Sequence, residues 1–160
     1  MESIIKTVKQ ALNPAFLKQK PNRMEIELFK KELINLFDRI NLKESEEFHK
    51  NIIKDFLNAV YYKDNHYINT KGRSDLVIHN DNNTTSSVGV LIETKSPANK
   101  SEMTSICKGD PCDIPNLNVK PFQELVLYYL RERKTGKNFE LRYLMITNVY
   151  EWFVFDAQDF

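Results

Sequence analysis

The stretch "GRSDLVIHNDNNTTSSVGVLIETKSP", residues 72–97, decides the fold. Two apolar runs, Ser74 to His79 and Val88 to Lys95, flank the polar insert "NDNNTTSS". Apolar runs separated by turn-forming residues predict a β-hairpin. Asp75 opens the first run, while Glu93 and Lys95 close the second. Strand side chains alternate between faces. Leu91, Glu93 and Lys95 therefore share one face, and Val90, Ile92 and Thr94 share the other. Antiparallel pairing sets Asp75 opposite roughly residues 92 to 95. Two carboxylates and an ammonium converge at one end of a sheet that is otherwise core.

Helical spacing dominates the chain before the hairpin. From Arg23 to Ile40, apolar residues fall at Ile26, Phe29, Leu33, Leu36, Phe37 and Ile40, with polar residues between them. A second stripe, Phe48, Ile52, Ile53, Phe56, Leu57 and Val60, predicts a helix from Ser45 to Tyr61 with Ser45 as its N-cap. Residues 1–23 read as a short helix around Ile4, Ile5, Val8 and Leu12 and an irregular lead-in. Tyr67 to Asn69 reads as a short strand. After the hairpin, residues 96–120 form a long loop punctuated by Pro97, Pro111 and Pro115.

Pro121 suits the first position of a helix, where its missing N–H costs nothing. That helix runs to about Arg133, with Phe122, Leu125, Val126, Tyr129 and Leu130 inward. Two further strands, Leu141 to Thr147 and Trp152 to Asp156, close the order. Trp152, Phe153 and Phe155 are expected in the core.

The chain has 160 residues, 41% of them apolar and 28% charged, with a net charge of +1. This is the composition of one globular domain, and it excludes a global basic field. No apolar run reaches the ~20 residues that span a bilayer. No signal peptide is apparent, so the expected compartment is the cytoplasm and no membrane partner is expected. Cys107 and Cys112 then stay reduced, and as a pair without further ligands they are a weak zinc signal. The apolar ending "EWFVFDAQDF" reads as a piece of a longer protein.

The charge cluster suits phosphodiester hydrolysis. Two carboxylates can hold Mg²⁺, a hard cation that keeps several waters. Such a cation polarises a phosphate and activates water. A neighbouring lysine orients that water or stabilises developing negative charge. Ser74-Asp75, then a hairpin, then Glu93-Thr94-Lys95 resembles the PD-(D/E)XK nuclease family, with Ser74 in place of the proline.

That resemblance implies an α/β, restriction-endonuclease-like αβββαβ core, a mixed central sheet flanked by helices. Extra N-terminal helices (1–43) precede a nuclease core (44–160) in one compact unit. It implies Asp75 and Glu93 as metal ligands and Lys95 as the residue serving the attacking water. It also implies a glutamate from the preceding helix. At 100° per residue, Glu46 lies at the margin of the apolar stripe and Glu47 nearly opposite, so Glu46 is preferred. Both also suit a helix's first turn simply through its dipole.

The segments "LNPAFLKQKPNRMEIELFKKELINLFDRI", "ESEEFHKNIIKDFLNAVYY", "INTKGRSDLVIHN", "ETKSP" and "ELVLYYLRER … YLMITNVYEWFVFDA" are similar to the N-terminal nuclease region of single-chain type IIG restriction enzymes. This implies a Mg²⁺-dependent endonuclease domain, with Mn²⁺ as a substitute, acting on double-stranded DNA. It places an adenine-specific methyltransferase, its S-adenosylmethionine site and a target-recognition domain elsewhere in a longer chain. Transient dimerisation would serve double-strand cleavage.

Related nucleases carry Gln-x3-Tyr on the following helix. Here that spacing gives Glu124 and Tyr128, with Gln123 one position early. Gln123, Tyr128, Lys71 and Arg73 are the DNA-contact candidates. Glu124, Tyr128 and Arg131 share a face away from the core stripe. Arg131, Arg133, Lys134 and Lys137 read as a solvated helix end. The other class of reading is a noncatalytic DNA-binding or interaction module that keeps a nuclease-like scaffold.

Overall fold

The computed structural model describes residues 6–72, 74–106 and 115–160. A short helix α1 (Val8–Ala11) and a 3₁₀ turn (Phe16–Lys18) lead into α2 (Arg23–Asp38). Asn22 caps α2 reciprocally with Glu25: its side chain accepts from Glu25 N at 2.9 Å, and its N–H donates to the Glu25 carboxylate at 2.8 Å. Two otherwise unpaired donors of the first turn are satisfied this way. Ile4 and Ile5 lie outside the described residues.

Helix α3 (Glu46–Leu57) starts where Ser45 accepts from Phe48 N at 3.1 Å, as the capping signal predicts. It continues as one wider π turn, Asn58–Tyr62. Strands β1 (Ile68–Lys71), β2 (Ser74–His79) and β3 (Val88–Thr94) follow. Gly72 makes the β1–β2 turn with φ +63°, a conformation that costs a residue without Cβ nothing. Sequence spacing placed β1 one residue early.

Residues 96–120 are not wholly irregular. They hold a 3₁₀ turn (Lys100–Glu102) and a two-stranded ribbon of β4 (Ser105–Ile106) and β5 (Pro115–Asn116). Cys107 and Cys112 lie outside the described residues. Helix α4 (Lys120–Leu130) begins one residue before Pro121 and ends in a π turn, Arg131–Thr135. Strands β6 (Tyr143–Thr147) and β7 (Trp152–Asp156) complete the chain.

The architecture is α/β: a five-stranded mixed sheet, in the order β1-β2-β3-β6-β7, flanked by helices. Leu76 pairs with Ile92 and Val77 with Leu91 in the antiparallel hairpin. β3 and β6 run parallel, Glu93 beside Ile146 and Thr94 beside Thr147. A parallel neighbour needs a crossover, and α4 lies on that connection.

Alternation divides the core between the two sheet faces. Leu76, Ile78 and Ile92 pack with Leu36 of α2 and Ile52, Ile53 and Phe56 of α3. Val77, Leu91, Leu144 and Ile146 pack with Leu125 and Tyr129 of α4. The expected inward stripes are only partly inward. Leu36 is buried, but Ile26, Phe29 and Phe37 keep substantial exposure because α2 is an outer layer. Leu130 is also exposed, while Tyr128 packs towards the α4 core. Trp152 is half-exposed, whereas Phe153 and Phe155 do pack against that core. Among the described residues no helix is long and apolar enough to cross a membrane.

Candidate functional site

The site forms at the open end of the β2–β3 hairpin, where both helical layers meet the sheet. Continuing the Leu76–Ile92 register brings Asp75 level with Glu93. Backbone pairing runs past the end of β3: Lys95 N donates to Thr147 O at 2.8 Å. That bond holds Lys95 in strand-like continuation, so its side chain projects on the same side as Glu93. Glu93 and Lys95 are both buried, at 3% and 4% exposure.

Lys95 Nζ meets three carboxylates. Glu93 Oε1 is 2.7 Å away, Glu46 Oε1 3.4 Å and Glu124 Oε2 3.6 Å. These come from β3, the first turn of α3 and α4. A buried ammonium needs such partners, since an isolated one would lose its hydration. Burial by itself lowers the Lys95 pKa. Its hydrogen bond to Glu93 and the charges of Glu93, Glu46 and Glu124 outweigh it, and the net direction is up.

Asp75 is oriented by a different residue. Its Oδ2 accepts from both Thr94 N and Thr94 Oγ1, each at 2.9 Å. Its Oδ1 lies 3.9 Å from Lys50 Nζ, a largely buried ammonium that also pairs with Glu47. Thr94 is fully buried, so this clamp fixes the carboxylate against the strand end.

Glu93 is the anomalous group. Burial, first, and then the nearby Asp75 charge push its carboxyl up to about 8, against the lowering effect of Lys95. Its Oε1 takes the lysine, and its Oε2 is buried with no donor from the fold, although the neighbouring Glu124 carboxyl comes close enough to raise the Glu93 pKa further. A buried polar atom left unpaired costs free energy. Two histidine nitrogens, His49 Nε2 and His66 Nδ1, share that state, but Glu93 Oε2 belongs to an ionisable acid.

The structure therefore brings together four residues picked out from the sequence: Asp75, Glu93, Lys95 and Glu46. Glu47 instead pairs with Lys50 and stays exposed. Tyr128 borders the cluster. Burial raises its phenol pKa, and the charges of Glu93, Glu124 and Asp75 add to the effect. Gln123 does not approach: it is exposed and donates to Asn118 at 3.0 Å. Lys71 pairs with Glu132 at 2.7 Å. Arg73 lies outside the described residues.

Sequence reasoning missed Lys50 and Thr94, and it placed Glu124 in the cleft only through a motif departure. Lys50 had a signal, because it follows Glu46 by four positions and Glu47 by three, on one helix face. Thr94 had none: alternation sends it to the opposite face, and only the strand end lets its hydroxyl reach Asp75.

The donor set fits a hard cation. Among the described residues no three His, Cys, Asp or Glu ligands are already gathered around one point. Mg²⁺ does not need that many, since it commonly takes one or two carboxylates and completes its shell with water and phosphate. Asp75 Oδ1 and Glu93 Oε2 are the oxygens not already engaged by close hydrogen bonds. The acids fall into two ion-pair sets: Glu47 and Asp75 around Lys50, and Glu46, Glu93 and Glu124 around Lys95, with Lys120 also on Glu124.

The chain belongs to the family described as Domain of unknown function (DUF7149), whose profile matches residues 6–160. No curated protein and no solved structure matches it.

Proposed function

We propose that this chain is a metal-dependent nuclease domain of the PD-(D/E)XK type, hydrolysing phosphodiester bonds in double-stranded DNA. The observation that carries the reading is the buried, unpartnered Glu93 Oε2 beside Asp75 and Lys95. The element order α3-β1-β2-β3-α4-β6, with one parallel strand pair, supports it as the restriction-endonuclease-like core.

Asp75 and Glu93 would hold Mg²⁺, or Mn²⁺ in its place. The cation supplies Lewis-acid polarisation of the phosphate. Thr94 keeps Asp75 aimed, and Lys50 limits its repulsion with Glu93. Lys95 donates to the attacking water or to a phosphate oxygen, and Glu46 and Glu124 hold its ammonium in position. The finer proposal rests on sequence likeness: a cleavage domain of a single-chain restriction-modification enzyme. There the adenine methyltransferase, with its S-adenosylmethionine, and the target-recognition domain are separate regions, and a second copy serves the other strand.

Calorimetric titration with Mn²⁺ and Mg²⁺ tests this. Wild type should bind, and Asp75→Ala and Glu93→Ala should each abolish binding. Mg²⁺ should support nicking of plasmid DNA, and Ca²⁺ should not. No binding at millimolar metal, or equal cutting in Ca²⁺, overturns the mechanism. A second reading, a noncatalytic DNA-binding scaffold, is favoured by the three carboxylates around Lys95, which suffice to stabilise its burial. That scaffold predicts metal-independent behaviour in all three proteins.

A further inference from the structure

A groove of two adjoining cavities runs past the C-terminal end of α4 and its π turn. Its near part is a cavity of about 430 Å³ lined by Lys71, Gly72, Ser74, Tyr128, Arg131 and Glu132. Ser74 immediately precedes Asp75, and the Tyr128 phenol lies within the field of Glu93, Glu124 and Asp75. This end therefore opens beside the proposed reaction centre. The far part, about 550 Å³, shares Lys71 and Glu132 and extends to Lys137, Asn138 and Glu140, whose carboxylate accepts from Ser87. One ion pair spans the junction of the two cavities.

That ion pair is asymmetric. Glu132 is held at both oxygens: Oε1 takes Lys71 at 2.7 Å, and Oε2 accepts from Asn138 Nδ2 at 3.2 Å. Its side chain is only 14% exposed, whereas that of Lys71 is 47% exposed. The carboxylate is held at two points, and the lysine is the more exposed partner with one contact. Half-exposed pairs contribute little net stability, so a competing anion can displace one at small cost. Arg131 is exposed and sits 5.9 Å over the Tyr128 ring, and both residues line the near cavity. An exposed guanidinium and a releasable ammonium in one groove suit successive phosphates.

We infer that this groove is a track for the phosphate backbone of a DNA strand, with Arg131 as its fixed contact and Lys71 as a contact that Glu132 withholds until a phosphate displaces it. The identity of the polyanion rests on the nuclease reading; the groove and its latch rest on geometry alone. The latch lowers the affinity of a strand that reaches Lys71 by the cost of displacing Glu132, and leaves a strand held by Arg131 alone unaffected.

The test is fluorescence anisotropy of a labelled duplex oligonucleotide, in EDTA, over a range of salt. Lys71→Gln and Arg131→Gln should each weaken binding several-fold and reduce the slope of log affinity against log salt by about one. Glu132→Gln keeps the Asn138 contact but removes the charge, and should tighten binding several-fold. That gain should vanish in Lys71→Gln/Glu132→Gln, because residues acting through one contact are not additive. The inference fails if Lys71→Gln and Arg131→Gln bind as wild type does. It also fails if the Glu132→Gln gain survives without Lys71, or if neither wild type nor Glu132→Gln binds at low salt. Lys71 and Arg131 are surface groups, so their variants read out even if Glu132→Gln folds poorly. Because EDTA removes metal from the assay, groove behaviour without any metal site would sink the nuclease reading alone. Metal binding with an indifferent groove would sink this inference alone.

Discussion

The two ends of the β2–β3 hairpin both bury ionisable side chains, and they treat them differently. Near the turn, His79 is 2% exposed and both ring nitrogens have partners: Nδ1 with Ser86 O at 2.8 Å and Nε2 with Asn69 Oδ1 at 3.0 Å. At the open end, Glu93 is equally buried but keeps one oxygen unpaired and faces a second carboxylate, Asp75. The turn end is closed chemistry, in which every polar atom of the imidazole is used within the fold. The open end keeps a buried acid oxygen without a donor, at the expense of stability. A buried polar group with complete bonds is accounted for by the fold, whereas one left open, as at Glu93, His49 and His66, costs stability that the fold alone does not offset.

This contrast can be broken by experiment. The largest expected effect is on cleavage: Asp75→Asn, Glu93→Gln and Lys95→Met should each slow plasmid nicking by at least about 100-fold, while circular dichroism shows a retained fold. His79→Ala should do the reverse. It leaves Ser86 O and Asn69 unpaired and should cost about 2–3 kcal/mol in urea unfolding, with metal binding unchanged. Should His79→Ala abolish metal binding, the two ends would not be separable.

The next effect is a pH dependence of the metal-free protein. The Glu93 carboxyl is raised from 4.5 to about 8 on folding. Its contribution is fully present below pH 4.5 and is lost as pH rises through about 8, because the unfolded chain releases that proton first. Stability should therefore fall across this window by at least about 1 kcal/mol, and the slope should disappear in Glu93→Gln. Added Mg²⁺ should flatten it, since ligation favours the ionised carboxylate. The smallest effect is at the helix that supplies Glu46. Ser45→Ala removes the cap of α3 and should cost about 1 kcal/mol in the same unfolding assay, leaving the metal site intact.

The hairpin was legible because strict alternation and a polar turn leave one register that buries both faces, and that register places Asp75 near Glu93. Ser45 and Glu46 were legible because capping and helical angle are local properties. The fate of Lys71 and Gln123 was not. Lys71 meets Glu132, sixty-one positions on, only because the end of α4 approaches β1, and Gln123 turns back to Asn118 in the loop before α4, whose conformation the residue pattern does not specify. The exposure of Ile26 and Phe37 was hidden for the same reason. A stripe says which face of a helix is apolar, and only the tertiary layer order says how much of it is covered.

The β6–β7 turn carries one further consequence. Thr94 lies beside Thr147 on β6, and Thr147 lies beside Trp152 on β7. Two strand spacings separate Thr94 from Trp152, roughly 10 Å. Trp152 is the single tryptophan of the chain, half-exposed, with its indole N–H fixed on Val149 O at 3.0 Å. The protein thus carries a single intrinsic fluorophore two strands from Thr94, the residue that clamps Asp75. Emission from that indole offers a label-free optical readout of unfolding at this end of the sheet.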